Sequence, residues 1–248
     1  MSKQHELAAR WDTFLVKIKE RFHEMSEQGK EAVLESLDNN NYDYYSSFRT
    51  LSSIKAQLQD SIINKIDKVW RDQVEPLMMA DGDSYSIDKR HKGHNLRKQL
   101  SDEIHDWMFV CEGLLSEKYY QYAIQLVNKD FRCTQCNSPV QITKNLFQSH
   151  YVTCSYCNTV NSFVPETKYV QIGWNVVNNI SAYSALAEWR AVYKLQQRTR
   201  NDDRDEYLEQ YKEACRAYLK KYFEKRIELM PHTKETYEKD FAEALNKM

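Results

Sequence analysis

Glycine and proline are scarce in this chain, five and four among 248 residues. That scarcity excludes an all-β design with frequent tight turns and favours long helices. An excess of one charge is missing as well. Lys and Arg number 35 against 36 Asp and Glu, a net charge of −1, so no global field gathers nucleic acid or anionic lipid. No apolar run approaches the roughly 18 residues of a membrane-spanning helix. The amino terminus, Met1 to Glu6, leads into an amphipathic pattern instead of an apolar signal core, and no lipidation motif is visible; the expectation is a cytoplasmic protein. There is no phosphate-binding Gly-rich loop, no nucleophile elbow and no His-Glu-x-x-His motif. Acids abound without an identifiable pair, so no catalytic or cofactor-binding residue is assigned.

Apolar residues make up 42% of the chain and charged residues 29%, a balance that supports a folded core under a well-solvated surface. Helical periodicity dominates. Leu7, Trp11, Phe14, Leu15, Ile18, Phe22 and Met25 predict a first helix from Lys3 to Ser26, and Gly29 separates it from a shorter segment, Lys30 to Leu37. A second helix is predicted from Tyr42 to Met78, kinked or ended by Pro76, then a loop at Ala80 to Ser84. A third runs from Ser86 to Asn128. Beyond Pro165, Val170 to Tyr193 read as one fourth helix ending near the charged tract Arg198 to Asp205, Glu206 to Met230 as a fifth, and Tyr237 to Leu245 as a short amphipathic sixth.

Between the third and fourth helices stand Cys133-Thr134-Gln135-Cys136 and Cys154-Ser155-Tyr156-Cys157. Two CxxC pairs at this separation suit one tetrahedral ion, each pair supplying two thiolates from a tight turn. Asn137 and Asn158 directly follow the pairs, where a metal-binding turn needs a left-handed backbone that Asn tolerates well. Val140 and Ile142, Tyr151 to Thr153, and Val160 with Phe163-Val164 give short strand signals. Residues 131–164 resemble a zinc ribbon, a family that usually carries Gly where this chain has Asn137 and Asn158. The resemblance implies two metal-binding turns on small hairpins and one structural zinc per chain, but no particular function. Four thiolates also suit rubredoxin-like iron; a redox CxxC lacks its βαβ context, and disulfides need an oxidising compartment. A closed four-cysteine shell leaves no position for a reactive water. His150 is read as a strand histidine, with replacement of a cysteine as the alternative. Cys111 and Cys215 stand alone on helical patterns as reduced core residues.

The stretch 89–98 holds Lys89, Arg90, Lys92, Arg97 and Lys98 without an acid and is the candidate patch for an anionic partner, with a solvated helix face as the plain alternative. His91 and His94, and separately Glu20 with His23, have helical ligand spacing, but the second Glu-x-x-His element of a di-metal bundle is missing. The expected architecture is a mainly α, long-helix bundle with an inserted β ribbon: a helical region 1–130, the ribbon 131–164, and a helical region 165–248 packing against the first. Three function classes follow. The leading one is a non-enzymatic interaction protein, whether adaptor, assembly component or inhibitor, with a protein partner. The second is nucleic-acid binding through the ribbon and the 89–98 patch, and the third an enzyme with a site scattered over the helices.

Overall fold

The computed structural model describes residues 3–79, 85–199 and 205–248, and the expected loop at Ala80 to Ser84 lies outside them. The chain is mainly α with one small β module. Helix α1 spans Lys3–Asn39 without a break. Gly29, expected to divide it, instead marks a close crossing: a Cβ there would come 2.7 Å from Ile54 Cγ2 and 3.3 Å from Trp107 Cζ2. Helix α2, Tyr44–Leu58, is capped by Asp43, whose carboxylate accepts from the Ser46 amide at 3.1 Å, satisfying a donor that the first turn leaves unpaired.

The helical path then continues through α3 (Asn64–Val69) and α4 (Glu75–Met79), joined by π-helical turns at Gln59–Ile63 and Trp70–Val74. Pro76 does not end this path at its own position. It follows directly on the second wide turn, whose closing bond runs from the Glu75 amide to the Trp70 carbonyl. A missing N–H is accommodated where the ladder returns from i−5 to i−4 bonding. Helix α5 covers Tyr85–Asp130; the ribbon strands β1, His150–Thr153, and β2, Val160–Phe163, are antiparallel. Helices α6 (Thr167–Ser184), α7 (Leu186–Thr199), α8 (Asp205–Leu229) and α9 (Tyr237–Lys247) complete the chain, with a 3-10 turn at Pro231–Thr236 before α9. The predicted single fourth helix is two. At Ala185 the backbone leaves the helical region, and the Ser181 and Ser184 hydroxyls donate to the carbonyls of Val177 and Ser181, local bonds of the kind that weaken and bend helices.

The chain divides into two compact units, residues 1–111 and 112–248, with the division inside α5. In the first unit, Trp11, Leu15 and Phe22 of α1, Leu51 and Leu58 of α2 and Leu100 and Ile104 of α5 are buried. Trp107 donates its indole N–H to the Ser26 carbonyl at 2.8 Å, so a large ring enters the core without an orphaned donor. The second unit holds the ribbon together with α6 to α9. Helix α8 packs against α6, α7 and α9 through Cys215, Leu219 and Phe223, and Tyr222 donates from its hydroxyl to Asn178 at 2.8 Å.

The ribbon is built into that second unit. Val140, Ile142, Leu146 and Phe147 are buried, the Asn145 amide donates to the Leu229 carbonyl at 2.9 Å, and the Phe147 ring lies 5.7 Å from that of Tyr120. Val140 and Ile142 were expected on a strand. Among the described residues the first hairpin instead has a single bridge, Arg132 to Pro139. The Asn128 side chain takes the place of a strand partner, donating to the Ile142 carbonyl at 3.0 Å and accepting from its amide at 2.6 Å.

Gly113 of α5 lies against Tyr183 of α6 so closely that a Cβ would overlap the tyrosine's own Cβ and ring. Replacing a helical glycine by alanine ordinarily stabilises by about 1 kcal/mol. Here Gly113→Ala should do the reverse and lower stability by about 1–3 kcal/mol, the usual cost of overpacking, read as a lower urea midpoint at unchanged slope.

Candidate metal centre

Each CxxC pair sits on a turn whose backbone bonds repeat residue for residue. The Asn137 amide donates to the Cys133 carbonyl at 3.0 Å and the Cys133 amide to the Ser138 carbonyl at 2.9 Å; in the second turn Asn158 donates to Cys154 at 3.0 Å and Cys154 to Thr159 at 2.9 Å. Asn137 and Asn158 have φ of 58° and 59°, the left-handed conformation expected of both. That conformation folds the chain back immediately after the second cysteine, so both thiols of a pair face the same side.

The four Sγ atoms lie within 4.8 Å of one another, with 3.5 Å between Cys133 and Cys157 and 3.7 Å between Cys136 and Cys154. A tetrahedral ion with metal–sulfur bonds of about 2.3 Å has sulfur–sulfur edges of about 3.8 Å, so the spacing fits such an ion. It does not fit disulfides, which need about 2.05 Å, and all four cysteines are free. Among the described residues this is the one group of three or more His, Cys, Asp or Glu side chains close enough to hold an ion.

The electrostatics are those of a thiolate site. Amides of Cys136 and Gln135 hold the Cys133 thiol down to about 6, aided by Cys157 and Asn161. The hydroxyl and amide of Ser138 lower Cys136. At Cys157 the Thr159 hydroxyl and amide also favour the thiolate, but the sulfurs of Cys136 and Cys133 together with desolvation outweigh them and raise it. Crowding thus opposes ionisation at Cys157, and a shared cation would remove that opposition. Cys133 and Cys154 are buried, Cys136 is exposed and Cys157 half-buried, so each turn contributes one inner and one outer sulfur. Cys133 and Cys154 pack with Val140, Phe131 and Val152, and Phe131 meets Phe163 edge to face at 5.6 Å.

Sequence reasoning passed over Asn161. This buried side chain accepts from the Thr134 amide at 2.9 Å and hydroxyl at 3.0 Å, donates to the Thr159 carbonyl at 3.0 Å, and lies 3.6 Å from Cys133 Sγ. It stitches one turn to the other, and Gln135 adds a second link to Thr159. A signal existed, because strand alternation puts Asn161 on the inward face with Phe163, where an amide needs a specific partner. His150 is not in the sulfur cluster: Nδ1 pairs with the Gln148 carbonyl at 2.9 Å and the ring rests 5.3 Å from Phe163.

The 89–98 stretch is basic in sequence and largely compensated in space. Lys89 and Lys92 both reach Asp12, the latter at 3.0 Å. Arg90 lies 3.7 Å from Glu75 and Arg97 3.0 Å from Asp67. Lys98 is exposed, with no ion pair among the described residues. His91 and His94 are both exposed and gather no further ligands, and His23 pairs with Glu103 at 2.8 Å, not with Glu20. Cys111 and Cys215 are buried. No helix among the described residues is long and apolar enough to cross a membrane.

Comparison with family models, curated proteins and solved structures finds no match for this chain, so the class of the site rests on its own geometry: a closed four-thiolate centre that could hold a metal ion.

Asn161→Ala leaves all four cysteines in place but unties the two turns. Metal retention should weaken by about 10- to 100-fold, as for partners that orient metal ligands, measured by competition with a chromophoric chelator. Cys154→Ser should remove retention outright.

Proposed function

We propose that this protein is a non-enzymatic interaction protein, an adaptor, assembly component or inhibitor, whose ribbon is held by one structural zinc ion and whose helices carry a surface for a protein partner. The observation that carries the reading is the closed sulfur cluster. Four thiolates complete a tetrahedral shell, so the ion polarises no substrate and activates no water; its contribution is folding free energy, on the order of 10 kcal/mol for a small module. A tetrahedral set of four sulfurs suits zinc and iron alike; zinc is the ion that the likeness of residues 131–164 to a zinc ribbon favours.

Nucleic-acid binding through the ribbon and Lys89, Arg90, Lys92, Arg97 and Lys98 is the second reading. It has less support, since carboxylates of Asp12, Glu75 and Asp67 already face four of those five cations. A polyphosphate chain would have to displace them before releasing its own counterions.

Purified protein should be colourless and hold about one zinc per chain; a red, iron-containing protein overturns the metal assignment. Chelation should open the segment between Asn128 and Thr167 to protease while most helical circular dichroism survives, and unchanged sensitivity there would count against a metal-held ribbon. In native co-purification, a protein partner retained after nuclease treatment supports the interaction reading. Salt-sensitive capture of a generic DNA or RNA probe without such a partner supports the other.

A further inference from the structure

Trp11 of α1 and Trp70, at the head of the second π-helical turn, meet with ring centroids 5.3 Å apart. Both stand in the wall of a cavity of about 330 Å³ whose lining lies wholly within the first unit, and Ile66 extends this apolar floor. Gly93 of α5 lets the Trp11 ring close in, since a Cβ there would stand 2.7 Å from its Cζ2. The wide turn itself shapes the cavity. In a regular α-helix, residues five apart point roughly 140° away from each other. With the Glu75 amide bonded back to the Trp70 carbonyl, the two stack on one side, and both line the cavity. Such π-helical widening is frequent at functional sites.

The rim is charged and balanced. Asp67 and Glu75 supply two carboxylates, Arg71 and Arg90 two guanidiniums, with His94 beside them. Each of the four already meets a counter-ion: Asp67 lies 3.0 Å from Arg97, Arg71 3.2 Å from Asp72, and Arg90 3.7 Å from Glu75. The last separation is too long for a direct hydrogen bond. Below the rim, the Trp11 indole donates to the Lys89 carbonyl at 2.9 Å, whereas the buried Trp70 indole has no acceptor among the described residues.

We infer that this cavity binds a free α-amino acid with a large apolar or aromatic side chain. The side chain rests on Trp11, Trp70 and Ile66, the ammonium meets Glu75 and Asp67, and the carboxylate meets Arg71 and Arg90. Charge selects the zwitterion. A ligand of one sign displaces a counter-ion and leaves it unpaired, which is costly away from water. A zwitterion entering between Glu75 and Arg90 pairs with both and strands neither. A guanidinium fork matches a carboxylate, and a flat ring packs offset on an indole. The volume stands at the low end of the about 300–1,000 Å³ of ligand pockets, a size for one amino acid and not for a nucleotide.

Isothermal titration calorimetry of the full chain, with L-phenylalanine as the probe, tests this. A dissociation constant of about 1 mM or tighter is expected, and glycine, which has no side chain to bury, should bind at least about tenfold more weakly. N-acetyl-L-phenylalanine lacks the ammonium, as the carboxyl end of a peptide does, and L-phenylalaninamide lacks the carboxylate, as the amino end does. Each should bind at least about tenfold more weakly than the free amino acid. Glu75→Gln and, separately, Arg71→Gln should each weaken L-phenylalanine at least about tenfold, with wild-type circular dichroism certifying the fold. The Arg71 side chain is 71% exposed, so its variant decides if Glu75→Gln does not fold; if neither folds, the ligand series on the wild type decides alone. Absence of heat with L-phenylalanine up to about 10 mM overturns the proposal. So does equal binding of either one-charge analogue, which makes a peptide end the ligand, or unweakened binding by a folded variant. No residue of the cavity belongs to the sulfur cluster, and these outcomes leave the interaction reading untouched.

Discussion

Four thiols within 4.8 Å of one another are a burden on a fold unless their charge is met. A buried thiolate loses hydration, and neighbouring thiolates repel; neither cost is small at low dielectric. The chain answers with dipoles. Amides of Gln135 and Cys136 face Cys133, the Ser138 amide and hydroxyl face Cys136, and those of Thr159 face Cys157. Ser138 and Thr159 stand at the same distance beyond their respective CxxC pairs, so local chemistry repeats along with the backbone. These dipoles favour negative sulfur but cannot cancel repulsion among several such sulfurs, which is what sets Cys157 against the trend of Cys133. A cation at the common centre would remove that repulsion.

From this constraint follows the way the module is anchored. A small two-turn unit has little core of its own, here Cys133, Val140 and Cys154 with Phe131 and Val152 around them. Its remaining apolar residues look outward from the metal side. Ile142 is gripped by Asn128 from the end of α5, Asn145 bonds to Leu229 at the end of α8, and Phe147 lies so close to Gly173 of α6 that a Cβ there would strike its ring. Helices on three sides therefore fix the loop between the cysteine pairs, while a shared ion would fix the pairs themselves. The glycines of the helical part belong to the same economy of close approach: at Gly29, Gly93 and Gly113 the helices run on, and Ile54 with Trp107, Trp11, and Tyr183 respectively crowd the space a Cβ would take.

Local chemistry was legible and distant pairing was not. Asn137 and Asn158 announced the left-handed turns because each turn is contained in five consecutive residues, 133–137 and 154–158, and the recurrence of the same CxxC unit announced that Cys133, Cys136, Cys154 and Cys157 converge. Helical periodicity located the long elements for the same reason. The contacts of Asn161 with Thr134, of Asn128 with Ile142 and of Lys92 with Asp12 span 27, 14 and 80 residues, and no periodicity encodes them. The basic stretch is the instructive case. Read alone it lacks acids, but the acids that face it come from α1, α3 and α4, brought there by apolar stripes whose own pattern says nothing of charge. The break at Ala185 was hidden differently, since Ala185 and Leu186 carry no stop signal and the competing bonds come from serine hydroxyls.

Charge is thus partitioned along the chain in a way that bears on recognition. The helices hold nearly all of it, with opposite signs paired across helix surfaces at separations such as Lys221 to Glu188, 3.0 Å, and Arg97 to Asp67, 3.0 Å. Exposed pairs of this kind contribute little stability, but they solvate the surface. The ribbon carries neither sign across its second hairpin. An ion held by the four sulfurs would therefore do more than close a loop: it would hold rigid a β hairpin whose exposed side chains are tyrosine, valine, serine and threonine. Rigidity matters because an ordered apolar face forfeits less conformational entropy on association than a mobile one. An ion that satisfies the sulfurs would thereby also set how ordered the outward face of the hairpin is, since both belong to one small folded unit.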